Sequence, residues 1–195
     1  MSIVFIHPST VVDVGARLGA GTKVWHFSHL MAGAVVGSNC IIGQNVFIDN
    51  NVVIGNGVKI QNNVSIYNGA IIEDDVFIGP SAVFTNVINP RSFIERKDEF
   101  APIIIRKGAT IGANATIVCG VEVGSYAFVG AGSVVTRSIP PFSLSFGSPA
   151  THRGWVSAAG LRLIFNQMGE AYCSGSGEKY LLRDNTVLPA EAFED

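Results

Sequence analysis

Charge is scarce in this chain. Only 14% of its 195 residues are Asp, Glu, Lys or Arg, and the formal net charge is −2. Lys and Arg together number 13 against 15 Asp and Glu, so there is no basic field for a nucleic-acid backbone. No apolar run approaches the roughly 18 residues of a membrane helix, because Gly and Asn interrupt every stretch. No signal-peptide pattern opens the sequence, so the cytoplasm is the expected compartment. Cysteine is sparse too. Cys40, Cys119 and Cys173 lie far apart without metal-ligand spacing, so free thiols and no metal site are expected. Histidine is limited to His7, His26, His29 and His152, which leaves few strong bases. What is plentiful is glycine, with 22 residues, and apolar side chains, at 48%. Mean hydropathy is +0.37, high for a chain that keeps its whole surface wet.

The apolar residues are periodic. From Ile6 an aliphatic recurs at every sixth position through Val12, Leu18, Val24, Leu30, Val36, Ile42, Ile48, Ile54, Ile60, Ile66, Ile72 and Ile78, with Phe84 closing the run. The period resumes at Ile105, Ile111, Ile117, Val123, Val129 and Val135. Four residues after each aliphatic comes a small or β-branched residue, such as Ala34, Cys40, Val58, Ala82, Ala109 or Ala115. The helical period of 3.6 does not fit six, and Gly or Asn breaks a continuous strand. Short strands joined by tight turns do fit. The large aliphatic and its small partner point inward, and stacked coils bury one shared core. Three hexads per coil predict an all-β class: a triangular prism of parallel coils, about 30 Å long at roughly 4.8 Å per coil. A bulky residue in the small slot would overfill the narrow axis.

The interruption carries its own information. Between Phe84 and Ile105 the segment from Thr85 to Ile104 holds two prolines and the charges Arg91, Glu95, Arg96, Lys97, Asp98 and Glu99. It reads as a loop expelled from the prism over 85–104, and long loops in compact repeats are often functional. Pro140-Pro141 end the coils. The expected organisation is a prism domain over 1–156 and a C-terminal cap over 157–195. Within the cap, a short helix is expected over 157–168. A hairpin is expected between Ala171-Tyr172-Cys173 and Lys179-Tyr180-Leu181-Leu182.

A hexapeptide prism with one ejected loop and a Gly-x-Pro-Ala exit resembles the left-handed β-helix acyltransferases. The stretches VWHFSHL (24–30), KIQNNVSIY (59–67), GPSAVFTNVINPRS (79–92), IERKDEF (94–100) and KGATIGANATIVCGVEVG (107–124) are similar to those of bacterial nucleotide-sugar 3-N-acetyltransferases. The resemblance spans roughly residues 7–155, and the loop is its most specific part. It implies handedness, a homotrimer with sites between subunits, and acetyl-CoA as acyl donor. The implied acceptor is a UDP-linked 2-acetamido-3-amino-2,3-dideoxy-uronic acid used for O-antigen or other surface polysaccharide. A dTDP-linked 3-amino-3,6-dideoxyhexose is the alternative. A non-enzymatic solenoid scaffold would show a flat repeated polar array, which is missing here, and a zinc site would need three converging histidines.

Hexads 18 residues apart share a corner of the prism. One corner then carries Trp25-His26-Phe27, Gly43-Gln44-Asn45, Gln61-Asn62-Asn63 and Gly79-Pro80-Ser81. Turn chemistry accounts for Asn readily but not for the glutamines. Gln44, Gln61 and Asn62, with His26, are the candidates for sugar hydroxyl contacts. Tyr67 lies on a second corner with Asp49-Asn50-Asn51 and is a further substrate-binding candidate. Asn86 opens the loop, and the resemblance puts it beside the reacting amine and the thioester. Arg91 and Arg96 suit a diphosphate or uronate carboxylate, with Glu95 as a lock or sugar contact. The cofactor candidates are Ala113, Ala131 and Gly132 through their backbone, and Arg137 or Arg153 for phosphates. A neutral amine is already nucleophilic and the leaving thiolate can take the surplus proton. Substrate-assisted transfer is therefore expected, with His26 as the alternative base.

Overall fold

The computed structural model describes residues 3–193. It is a parallel β-helix, as the hexads require. Two-residue strands follow one another with turns between, and every third strand is paired. Phe5–Ile6, Lys23–Val24, Ile41–Ile42, Lys59–Ile60, Phe77–Ile78, Thr110–Ile111 and Phe128–Val129 lie side by side on the first face. The second face runs from Val11–Val12 to Val134–Val135 in seven strands, and the third has six, from Arg17–Leu18 to Glu122–Val123. All three are in parallel register, for example Lys59 opposite Ile41 and Ile60 opposite Ile42. A step of 18 residues therefore moves one coil along the axis without changing face.

The inward pairs fill the axis. Ile42, Ile48, Ile60, Ile66, Ile78, Ile105, Ile111 and Ile117 are fully buried, and so are the small-slot residues Ala34, Cys40, Val58, Ala109 and Ala115. Phe84 takes the aliphatic slot at the loop's root, where it is 1% exposed. The turns explain the Asn and Gly content. Asn39, Asn45, Asn51, Asn63 and Asn114 have φ of 55–61°. Asn tolerates this left-handed backbone better than other side chains. Phe27, with φ 57°, occupies the same turn position without that tolerance.

The loop is shorter than its sequence suggests. Ile103–Ile105 is already a strand, with Ile103 opposite Ala70, so the chain leaves the prism only over residues 85–102. Between its ends sits one short 3-10 turn, Lys97–Glu99. The root is fixed by the Ala101 N–H donating to the Asn86 carbonyl at 3.0 Å and the Cys119 N–H donating to Thr85 Oγ1 at 2.9 Å. On the third face Arg106 ties three successive coils together, bonding Glu73 on the coil before at 2.7 Å and both oxygens of Glu122 on the coil after at 3.0 Å.

The end of the prism departs from expectation. No helix forms over 157–168. After a turn at Gly160, where φ is 76°, Arg162–Leu163 pairs antiparallel with Thr151–Val156. Leu163 is buried while Arg162 and Ile164 are exposed, a period of two that suits a strand and not a helix. Glu170–Tyr172, Lys179–Arg183 and Thr186–Pro189 form a three-stranded antiparallel sheet. Phe142, Trp155, Leu163, Ala171, Cys173, Tyr180 and Val187 bury a second core there. Cys40, Cys119 and Cys173 are all free and buried. Among the described residues no helix is long and apolar enough to cross a membrane.

Candidate functional site

The first corner follows the strands of the first face, and its coils stack as the spacing predicts. The Asn45 N–H donates to the His26 carbonyl and the Asn63 N–H to the Gln44 carbonyl, both at 2.9 Å. Asn45 Nδ2 reaches Asn63 Oδ1 at 3.0 Å. Trp25, His26, Gln44 and Asn62 line a cavity of about 250 Å³ here. Gln61 belongs to the same corner but is not part of its lining. The rings below are supported from the preceding coil. His7 stacks on His26 with centroids 3.5 Å apart, and Phe5 packs against Trp25 at 5.4 Å. Ser9 Oγ pairs with His7 Nδ1 at 2.9 Å and accepts the Phe27 N–H at 3.0 Å. Desolvation, and then the neighbouring His26, push the His7 imidazole below its ordinary range.

The second corner lies across the second face. Asp49, Asn50, Asn68, Asp98 and Phe100 line a wider cavity of about 620 Å³. Asp49 accepts the Asn50 N–H at 2.8 Å and the Asn68 N–H at 3.2 Å, and Asn68 Nδ2 donates to Asn50 Oδ1 at 3.0 Å. Tyr67 stands beside it on an aromatic row with Phe47 and His29, centroids 5.9 and 5.8 Å apart. His29 Nε2 is 3.2 Å from Asp13 Oδ1. One coil further on, Asn86 is half-buried at the loop root.

The loop makes its own cavity of about 230 Å³, lined by Val87, Pro90, Arg91, Ile94, Glu95, Arg96 and Phe100. Arg91, Glu95 and Arg96 are thus together, as the charge cluster implied. Arg96 is partly committed, since its Nη1 holds both Glu99 oxygens at 2.7 and 2.8 Å. Its buried Nε has no partner among the described residues. Arg91 donates to the Pro90 carbonyl at 3.0 Å.

The late coils of the first corner carry Ala113, Ala131 and Gly132. In earlier coils the N–H of the second turn residue is capped from the next coil: Gln44 donates to Asn62 on this corner, and on the third corner Ser38 donates to Asn56 and Asn56 to Asp74. Ala113 is followed in its column by Ala131, which has no side-chain oxygen, so among the described residues no such cap meets it. Main-chain donors exposed in this way suit the amides of an extended acyl carrier. Arg137 and Arg153 are exposed. The Arg153 guanidinium lies 5.5 Å from the Phe146 ring centroid.

The candidate residues do not converge within one chain. His26 and Asn86 sit on different corners, three coils or about 14 Å apart along the axis. Trp25, His7, Asp49, Asp98 and Phe100 were not singled out by sequence reasoning. The 18-residue columns contain the signal for the first three. Nothing in the sequence places Asp98 and Phe100, because the loop has no period.

Comparison with known proteins gives the family. The family model for bacterial transferase hexapeptide (six repeats) matches residues 15–50, 51–86 and 102–137. The chain is 43% identical over 183 residues to dTDP-3-amino-3,6-dideoxy-alpha-D-galactopyranose 3-N-acetyltransferase of Aneurinibacillus thermoaerophilus, covering 94% of this chain and 93% of that one. A hexapeptide-repeat acetyltransferase of Vibrio cholerae O1 biovar eltor, solved with acetyl coenzyme A, is 28% identical, with TM-score 0.52 over 72% of this chain and 71% of that one. A UDP-N-acetylglucosamine acyltransferase of Bacteroides fragilis shares the fold at 20% identity, with TM-score 0.65 over 78% of this chain and 61% of that one.

Proposed function

This chain is a member of the bacterial transferase hexapeptide family, and from that premise we propose that it acetylates the 3-amino group of a nucleotide-linked 3-amino sugar with acetyl-CoA. The observation that carries the reading is the 43% identity to a 3-N-acetyltransferase along nearly the whole of both chains. That relative's acceptor is dTDP-linked, which favours a dTDP-3-amino-3,6-dideoxyhexose. The UDP-linked aminouronic acid is the second reading. It needs a cation for the uronate carboxylate, and Arg91 is the exposed loop guanidinium for that role while Arg96 is engaged by Glu99. Either product would serve O-antigen or related surface polysaccharide, made in the cytoplasm, where buried free thiols such as those of this chain persist.

Acetyl-CoA brings an activated thioester carbonyl. The uncapped N–H of Ala113 and the backbone of Ala131 would hold its pantetheine amides, with Gly132 leaving space. Arg137 and Arg153 would meet its phosphates. The sugar amine attacks the carbonyl carbon with its lone pair, the C–S bond breaks, and the thiolate accepts the proton the new amide must lose. Asn86 orients the amine through its side-chain carbonyl. No strong enzymic base is needed, because positioning supplies most of the rate. His26, stacked on His7 and three coils from Asn86, is poorly placed for that task within its own chain. Gln44, Gln61, Asn62 and Tyr67 contact the acceptor.

The assembly we propose is a homotrimer. Outward Val53, Ile71 and Val83 are 43–47% exposed, and Val53 and Ile71 line an apolar groove of about 310 Å³ on the third face. Flat apolar faces of this kind are covered by another copy in stable oligomers. The test is thiol release from acetyl-CoA against a panel of dTDP- and UDP-linked 3-amino sugars. Release with the dTDP sugars at the lowest KM is expected. Silence with every 3-amino sugar would sink the assignment.

A further inference from the structure

The first-corner cavity is built for a flat ring more than for sugar hydroxyls. Its column reads Trp25, Gly43, Gln61 at successive coils, and Gly43 leaves a gap between the indole and the glutamine. Two coil spacings are about 9.6 Å, and an inserted ring needs about 3.5 Å on each face. No side chain can stand there, because a Cβ at Gly43 would meet Asn62 Oδ1 at 2.7 Å and the Asn62 nitrogen at 2.8 Å. Gly37, Gly55 and Gly79 share that approach to the next coil at the same turn position; what is particular to this column is the indole one coil before it. The indole is 40% exposed, and its plane lies 8° from that of His26. Both rings are backed from the first coil by Phe5 and His7. Phe27 is held in left-handed backbone at the same turn, strain that a simple turn would avoid with Asn.

The polar edge is equally specific. Asn62 Oδ1 accepts the Gln44 N–H at 2.9 Å, which fixes the amide so that Nδ2 is left to donate. The Gln44 side chain adds one donor and one acceptor. Together they present donor, acceptor and donor, the complement of an imide edge with its two carbonyls flanking an N–H. Uracil and thymine carry that edge. Guanine offers its O6 and N1–H to a donor and the acceptor of this set, but its 2-amine would face the second donor and go unpaired.

We propose that Trp25, Gln44 and Asn62 bind the pyrimidine ring of the nucleotide on the acceptor, with the ring against Trp25 and its imide edge on the two amides. The inference rests on the proposed nucleotide-sugar reaction for its biology but not for its test. The full-length protein is titrated with dTDP, UDP and GDP, each without a sugar. Binding is read by calorimetry and by tryptophan fluorescence. Of the two tryptophans Trp155 is 7% exposed, so quenching reports Trp25. dTDP and UDP should bind at least ten-fold tighter than GDP. Trp25→Ala should weaken both by about ten- to hundred-fold, and Trp25→Phe should restore most of the loss. In steady state, Trp25→Ala and Gln44→Ala should raise the KM for the nucleotide sugar at least ten-fold and leave that for acetyl-CoA within two-fold. Equal binding of GDP, or unchanged pyrimidine affinity in a folded Trp25→Ala protein, would overturn the proposal. Failure of the acetylation reading looks different: the wild type would release no thiol, yet dTDP would still quench Trp25.

Discussion

Replacing Ala115 by leucine tests the narrow axis directly, because two effects of opposite sign compete there. Ala115 is fully buried in the small slot, between the fully buried inward residues Ile111 and Ile117. If the axis had room, three added carbons at about 0.8 kcal/mol each would stabilise the coil by roughly 2.4 kcal/mol. The axis has none. Ala109 and Val121 fill the other small slots of that coil, at 0% and 7% exposure. Overpacking of a filled core costs about 1–3 kcal/mol net. For a chain of this size that lowers the melting midpoint by about 2–12 °C. Thermal denaturation followed by far-ultraviolet circular dichroism measures it. The control is Lys59→Leu, an exposed outward position next to buried Ile60, where a shift within about 2 °C is expected. A midpoint for Ala115→Leu equal to or above wild type would refute the argument that the axis sets the small slot.

Three further outcomes follow from the geometry. Arg106 hydrogen bonds hold the Glu122 carboxyl below the usual range, so its contribution is present above the unfolded value of about 4.3 and is lost as pH falls through the lower folded value. The midpoint difference between wild type and Glu122→Gln should therefore be full at pH 7 and close in acid below about pH 4; a difference that does not change with pH would contradict the pairing. Gly43→Ala should lower the midpoint by a few degrees and raise the KM for the acceptor, since its Cβ meets backbone nitrogen at 2.8 Å. Asn86→Ala should cut kcat/KM by about 10²–10³ with unchanged circular dichroism, while His26→Ala keeps kcat within about ten-fold of wild type. A larger loss in folded His26→Ala would restore the enzymic base.

The prism was legible because its period is a packing rule. Each sixth aliphatic from Val24 to Ile78 is buried, with its small partner four residues on. Legibility fails where period gives no answer. Ile103-Ile104-Ile105 is apolar throughout, so only pairing with Ala70–Ile72 shows that the strand begins two residues before the in-register Ile105. At Leu161 to Phe165 helix and strand patterns overlap, and the partner strand Thr151–Val156 decides. The site divides the same way. Gln44 and Asn62 share a column, and their meeting with His26 was readable from spacing. Asp98 and Phe100 reach the second-corner cavity through an aperiodic loop, whose path depends on the bonds at Asn86 and Thr85.

The separation of the two corners has a consequence for assembly. On the proposed reading, the pyrimidine against Trp25 and the amine beside Asn86 belong to one acceptor, yet a whole face and about 14 Å of axis divide those residues in one chain. If the proposed homotrimer sets the first corner of one protomer against the second corner of its neighbour, one acceptor can touch both. Mixing two impaired variants distinguishes the cases. Trp25→Ala and Asn86→Ala chains are unfolded together, refolded at equal ratio and assayed at subsaturating acceptor. If each site draws Trp25 from one protomer and Asn86 from the next, random assembly of a ring leaves about a quarter of sites with both residues intact. Activity should then recover to about a quarter of wild type, far above either variant alone. If one chain supplies both residues, no mixed assembly holds an intact site and activity stays at the level of the parents.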